Sequence, residues 1–263
     1  LQDEGRFPGV PRLGWAARHW WRGNAKALAG VTMAICDSAS TANDLQEYFA
    51  VQPARCRVIP LPLNIAMARL SAEPSLVRRE QTRVLHIGND GFYKNRAGVL
   101  RVFARIAATA PDAELTMAGP APAAHLLALA AELDLAGRIE WLIDPSDAAV
   151  ADSYRRAAVL LFPSLYEGFG WPALEAMAFG LPVVASNAGA LPEVVGAAGE
   201  CFAPDDEEGM ARAVGRLLTD PVAWRRAVDR GLSRAAGFSE MAFANGMRDA
   251  YLEAAGRSES GVP

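Results

Sequence analysis

The sequence is poor in lysine: of its 26 basic residues, two are lysines, Lys26 and Lys94. The 26 basic residues face 30 acidic ones, a formal charge of −4, so no basic excess exists to track a nucleic-acid backbone. Cysteine is scarce as well. Cys36, Cys56 and Cys201 are an odd number at wide spacing with no C-x-x-C pair, and His19, His86 and His125 do not gather near them. Neither a disulfide framework nor a zinc site is indicated. No apolar run approaches the ~20 residues that a membrane-spanning helix needs. The opening Leu1-Gln2-Asp3-Glu4 lacks the basic-then-apolar form of a secretory signal. These absences predict a soluble, cytoplasmic protein with buried, reduced thiols.

What is present is an ordinary globular mixture, 51% apolar and 21% charged, which excludes collagen-like, low-complexity and largely disordered chains. A length of 263 residues lies between one average domain and two. Short β-rich runs alternate with segments of helical period, the pattern of parallel strands joined by crossover helices, so the fold class is α/β with a doubly wound parallel sheet. Strands are predicted at 31–36, 57–60, 83–87, 114–118, 138–142, 159–162, 182–185 and 200–202. Val159-Leu-Leu-Phe162 and Pro182-Val-Val-Ala185 are apolar on both faces, as strands covered on both sides must be.

The rhythm breaks after Leu61, where Pro62, Asn64, Ser71 and Pro74 interrupt any period, and residues 65–82 read as an interdomain linker. Residues 83–237 hold enough strand and helix for a complete Rossmann-like domain. Residues 1–64 are too few for a two-sided parallel sheet with its own core and read as the last part of a first domain. Residues 238–263 read as a return helix and a frayed tail from 256, with Ser239 at the N-cap and Phe243, Met247 and Tyr251 on one stripe.

The densest chemical signal is Phe162-Pro-Ser-Leu-Tyr-Glu167-Gly168-Phe169-Gly170-Trp171-Pro172-Ala-Leu174-Glu175. A strand runs into a loop with two glycines and then into a helix whose start is marked by Pro172. Gly168 and Gly170 let backbone approach a ligand closely, and the free N–H groups of the helix then face an anion. Glu167 in the loop and Glu175 in the first helical turn would repel a phosphate, so they suit sugar hydroxyls better. A glutamate in a first turn is also favoured by the helix dipole alone. The second signal is Val84-Leu-His86-Ile-Gly88-Asn89-Asp90-Gly91-Phe92-Tyr93-Lys94-Asn95-Arg96. Here too a strand enters a glycine loop, with Lys94 placed to neutralise phosphate and Asn95 to cap the following helix.

Glu167-x7-Glu175, inside Glu-Gly-Phe-Gly-Trp-Pro-Ala-Leu-Glu-Ala-Met-Ala, resembles the signature of the family-4 retaining glycosyltransferases, the glycosyl transferases of group 1. Gly88 with Lys94-Asn95, Gly189-Ala-Leu-Pro192-Glu193-Val-Val and the Phe238-Ser239 helix agree with it. Upstream, Cys36-Asp-Ser38-Ala-Ser-Thr41 and Arg57-Val-Ile-Pro60 are similar to the end of that family's first domain. The resemblance spans nearly the whole chain in order.

The resemblance implies a GT-B architecture of two Rossmann-like domains across a cleft, the first supplying most of the acceptor site and the second binding a nucleotide-diphosphate sugar. Glu175 would hold the ribose hydroxyls, Glu167 the hydroxyls of the donor sugar, and Lys94 the phosphates; Glu167 and Lys94 are the catalytic candidates. Phe169 and Gly170 would offer backbone N–H groups, Ile143 would lie by the base, and Gly88, Asn89, Asn95, Gly168 and Leu174 would complete the donor site. The implied reaction moves a sugar to a glycan or lipid-linked acceptor with retention of configuration, in polysaccharide synthesis. No cofactor and no metal is expected, because basic side chains and helix N-termini take over charge stabilisation of the leaving diphosphate. The chain offers no Asp-x-Asp in a strand-end loop.

Two departures stand out. Many members carry arginine where this chain has Asn89, so either Arg96 substitutes or the diphosphate is held by Lys94 and backbone alone. The family's glycine-rich first loop and first-domain histidine would precede Leu1, so roughly one hundred residues of the first domain are expected to be absent. On a helix over 14–28, Trp15, Arg18, His19, Arg22 and Lys26 share one face. That pattern suits first an amphipathic helix packed on the first domain's sheet, and second a peripheral contact with a membrane.

Two other readings stay open. Gly168-x-Gly170-x-x-Ala173 also fits a dinucleotide fingerprint, which wants an acidic residue ending the next strand, where the chain has Ser186-Asn187. The chain by itself could also be a donor-binding module without activity, since transfer needs both walls of a cleft.

Overall fold

The computed structural model describes residues 27–28, 30–73 and 79–259. The chain divides into two compact units, with boundaries between Leu61 and Pro62 and between Glu240 and Met241. Most of the 14–28 helix, with its basic face, lies outside the described residues.

The smaller unit holds β1 (Ala34–Cys36), α1 (Ala39–Phe49) and β2 (Cys56–Val58), with the two strands parallel and Ala34 opposite Cys56. Ser38 caps α1, its hydroxyl accepting from the Thr41 N–H at 3.0 Å. Both strands are shorter than the apolar runs that announce them. The carbonyl of Val31 is taken by the Arg55 guanidinium at 3.1 Å rather than by a strand neighbour. At the other end, Pro60 has no N–H to continue the ladder after Ile59 bonds to Cys36 O.

The larger unit opens on α2 (Ile65–Ala72), inside the stretch expected to be an irregular linker. Asn64 caps it through the Ala66 N–H, Met67 is its one buried residue, and Arg155 donates to the Leu70 carbonyl. Eight residues with a single inward side chain give no readable stripe, which is why period alone misses the helix.

Six parallel strands follow, alternating with helices. They are β3 (Arg83–Ile87), α3 (Arg96–Thr109), β4 (Glu114–Gly119), α4 (Ala124–Glu132), β5 (Ile139–Ile143), α5 (Asp147–Arg156), β6 (Val159–Phe162), α6 (Trp171–Ala178), β7 (Val183–Ser186), α7 (Leu191–Val195), β8 (Glu200–Phe202), α8 (Glu207–Thr219) and α9 (Pro221–Ala235). Their order across the sheet is β5-β4-β3-β6-β7-β8. Every residue of β6 is fully buried, as its unbroken apolar run requires for a central strand. On one face α3 and α8 pack together, bringing Leu100, Phe103 and Ile106 into one core with Val84, Leu161, Met210 and Val214. On the other, α6 packs on β6, β7 and α9.

Helix α10 (Glu240–Glu259) is the last described element and continues through 256–259, where a frayed tail was expected. Its inward side is Phe243, Gly246, Met247 and Ala250, and Tyr251, predicted on that stripe, is 65% exposed. A Cβ on Gly246 would sit 2.9 Å from the Ile59 methyl, so glycine allows the close approach of helix and strand region. Arg57 and Glu253 pair beside it at 3.0 Å.

Candidate functional site

In the larger sheet the chain winds outward from β3 through β4 to β5 and then crosses back to begin β6 on the other side of β3. At such a switch point the loops at the carboxyl ends of two adjacent strands run in opposite directions and leave a crevice. Here those loops are 88–95, after β3, and 163–170, after β6. Both glycine motifs of the sequence therefore meet at one place.

The first loop is held tightly. Gly88 N–H bonds to Ala118 O at 3.0 Å, and a Cβ on Gly119 (φ +151°) would fall 2.1 Å from Gly88 O. A Cβ on Gly88 itself would meet His86 Nε2 at 3.0 Å and the Lys94 stem at 3.2 Å. Phe92–Lys94 form one 3₁₀ turn, ended by Asn95 at φ +52°. Asn95 caps α3 by accepting from the Gly98 N–H and donates its amide to Pro163 O at 2.9 Å. Both ends of that side chain are thus spent on tying the two loops together. Leu165 N–H adds a bond to Tyr93 O at 2.7 Å.

The central contact is an ion pair: Lys94 Nζ lies 2.7 Å from Glu167 Oε1, with both side chains about nine-tenths buried. The ammonium also stands 4.9 Å from the centre of the Phe162 ring and 5.4 Å from that of Tyr93. Glu167 is fixed from behind, where Ala190 N–H donates to its carbonyl at 2.9 Å. The approach is close enough that a Cβ on Gly189 (φ +59°) would come within 2.2 Å of the same oxygen. Gly170, at φ +98°, begins α6 with Pro172 in the second helical position, because the helix starts at Trp171. Glu175 is therefore in the fifth helical position, past the first turn where the sequence put it.

Glu175 is half-buried and accepts from the Tyr154 hydroxyl through Oε2 at 2.8 Å. Burial raises its pKa and the charge of Asp147 adds to this, against the opposing bond from Tyr154. Tyr154, on α5, is fully buried, stacked on Phe179 at 5.3 Å, and its phenol is pushed well above the ordinary range by burial and by Glu175. Sequence reasoning passed over Tyr154. The available signal was a tyrosine on the inward face of a helix, since a buried hydroxyl needs a partner.

The remaining expected residues fall as follows. Ile143, at the end of β5, is 51% exposed. Phe169 turns its ring inward, edge-to-face with Phe238 at 6.0 Å, and Leu174 is fully buried, so neither offers its side chain to the crevice. Asn89 is exposed, accepting from Gly91 N–H and donating to the Tyr93 hydroxyl. Arg96 is buried, bonded to Asp90 and to Pro120 O, with its guanidinium 5.8 Å from the Trp141 ring centre, so it is committed within the fold. His86 is buried with Nδ1 3.1 Å from Leu161 O and Nε2 without a partner among the described residues. Burial first, then the Lys94 and Arg96 charges, push its pKa down to about 3, against the raising effect of that carbonyl. Strand β7 ends in Ser186, whose hydroxyl donates to Ser164 O, and no carboxylate stands there to hold a dinucleotide's ribose.

The sequence profile of a known family, described as glycosyl transferases group 1, matches residues 70–233. The chain is 35% identical over 237 residues to an MMP alpha-(1->4)-mannosyltransferase of Mycolicibacterium hassiacum, covering 84% of this chain and 56% of that protein. It is 43% identical over 104 residues to the O-antigen chain mannosyltransferase B of Escherichia coli, covering 39% and 27%. The chain thus spans about half the length of the first of these relatives and less of the second. Among solved structures it resembles WaaG, a glycosyltransferase involved in lipopolysaccharide biosynthesis, with a TM-score of 0.77 at 19% identity over 91% of this chain and 68% of that one. It also resembles the sucrose-phosphate synthase of Thermosynechococcus elongatus, with a TM-score of 0.75 at 25% identity over 94% and 63%.

Proposed function

The chain belongs to the glycosyl transferases of group 1, and from that membership we propose that the protein moves a sugar from a nucleotide-diphosphate sugar to an acceptor hydroxyl, with retention of configuration. The observation that carries the reading is a buried lysine, Lys94, paired with a buried glutamate, Glu167, where two glycine loops meet at the switch point of a parallel sheet. In this reading Lys94 neutralises the diphosphate, assisted by backbone N–H groups of Phe169 and Gly170, just before α6 begins at Trp171. Glu167 takes hydroxyls of the donor sugar, Glu175 those of the ribose, and Ile143 borders the base. With Arg96 bonded elsewhere, Lys94 and backbone N–H groups carry the leaving group's charge, and no metal is needed.

The names of these relatives, two mannosyltransferases, favour mannose as the sugar moved, and that of the second favours a glycan of the O-antigen kind as the acceptor. Synthesis at the cytoplasmic face of a membrane fits that class of product. No helix among the described residues is long and apolar enough to cross a membrane.

The test is thermal denaturation of this chain with UDP-, GDP- and ADP-linked glucose and mannose. A ligand at 100 times its Kd stabilises by about 2.7 kcal/mol, which is roughly 5 °C or more for a domain of this size. One nucleotide should give that shift, and Glu175→Ala should abolish it. Stabilisation by NADH and by no nucleotide-sugar would overturn the reading in favour of dinucleotide binding.

A further inference from the structure

We propose that Tyr154 is the positioning residue of the ribose subsite, fixing the Glu175 carboxylate from inside the core so that its outer oxygen is presented to a vicinal diol. The inference rests on the reading of Glu175 given above, and it adds a residue from a different helix to that subsite.

Three observations lead to it. The Tyr154 hydroxyl is 2.8 Å from Glu175 Oε2 and 3.4 Å from Pro172 O, so its one proton goes to the carboxylate. Glu175 Oε1 accepts no hydrogen bond from the described residues and keeps both lone pairs. The ring that carries the hydroxyl is packed in the core: it is fully buried and stacked on Phe179 at 5.3 Å and 24°, and Phe179 itself carries the Arg155 guanidinium 5.4 Å from its centre.

A glutamate side chain is flexible, and a half-buried one must be held in one rotamer if it is to meet two adjacent hydroxyls at once. The bond from Tyr154 does that without using the face that a ligand approaches. It also links α5, which follows the base-side loop at Ile143, to α6, which follows the Glu167 loop. The charged and titratable neighbours facing Glu175 are Tyr154 and Asp147, both on α5. Asp147 repels the carboxylate, which leaves Tyr154 as the group that favours its ionised form there.

The experiment compares, by calorimetry, the affinity of whichever of UDP, GDP and ADP binds with that of its 2′,3′-dideoxy form. Wild type should favour the ribonucleotide. Tyr154→Phe, which removes one oxygen and keeps the ring, should narrow the ratio by roughly tenfold, as expected for a lost bond to a charged group, with dideoxy affinity little changed. In a Glu175→Gln background the same change should leave the ratio where it is. An equal loss of both affinities, or an unchanged ratio, overturns the proposal, since a role confined to packing would behave so. A ratio unmoved by Glu175→Gln overturns instead the ribose reading of Glu175 on which it stands. If Tyr154→Phe does not fold, the ratio measured on Phe179→Leu, which frees the ring and keeps the hydroxyl, should narrow as well; an unchanged ratio there overturns the proposal.

Discussion

The ammonium of Lys94 sits 2.7 Å from Glu167 Oε1 in a setting where both side chains are about nine-tenths buried. Removing one partner of such a pair leaves a buried charge alone, which typically costs about 3–5 kcal/mol, whereas replacing both with apolar groups of similar volume is often neutral. Lys94→Met should therefore lower the urea-unfolding free energy by that amount, and Lys94→Met with Glu167→Leu should recover most of it. Donor binding should be lost in both. A double variant that regains binding along with stability would show that the pair serves the fold alone.

Gly189 is the second element on which the Glu167 loop depends. A methyl there meets backbone oxygen at 2.2 Å, and the φ of +59° alone costs an ordinary residue about 1–2 kcal/mol. Gly189→Ala should lower the melting temperature and weaken donor binding together, because the displaced atom is the backbone that carries Glu167. The control is Gly215→Ala in α8, where an added methyl meets nothing within 4 Å. That change should gain about 0.5–1 kcal/mol of helix stability. Equal effects of the two substitutions on binding would refute the role given to the close approach.

What the sequence made legible follows from where the signal is local. Val159-Leu-Leu-Phe162 reads as a buried central strand because nothing else accommodates four apolar residues in a row between a helix and a glycine loop, and β6 is that strand. Lys94 was marked by being one of two lysines, and its loop by glycines that must stay small. The pairing of Lys94 with Glu167 was not legible, because 73 residues separate them and only the switch-point crossing joins their loops. Tyr154 escaped for the same reason, since its partner is 21 residues away on another helix. Leu174 lies inside the same signature with its side chain buried in the core, an orientation that its motif position alone does not reveal.

Acid sensitivity gives the remaining prediction, from two groups of opposite sign. Folding holds His86 neutral, with its pKa down at about 3 against an ordinary 6.5. Between those values the unfolded chain binds the extra proton, so stability falls as pH falls through that window, by about 1.4 kcal/mol per unit. For Glu175 the folded pKa is raised above 4.5, so its contribution is present below that value and lost as pH rises through the raised one. Urea unfolding of the wild type should accordingly show about 2 kcal/mol less stability at pH 5 than at pH 7 from the His86 contribution. His86→Asn, whose amide can still donate to Leu161 O, should remove most of that difference. Glu175→Gln should add stability at pH 7 while adding little at pH 4, since it replaces a carboxylate that the fold prefers to keep protonated. If His86→Asn keeps the full difference between pH 5 and pH 7, or if the ring of His86 titrates near 6.5 by NMR, the histidine is not held neutral beneath Lys94 and the buried site is more hydrated than its geometry indicates.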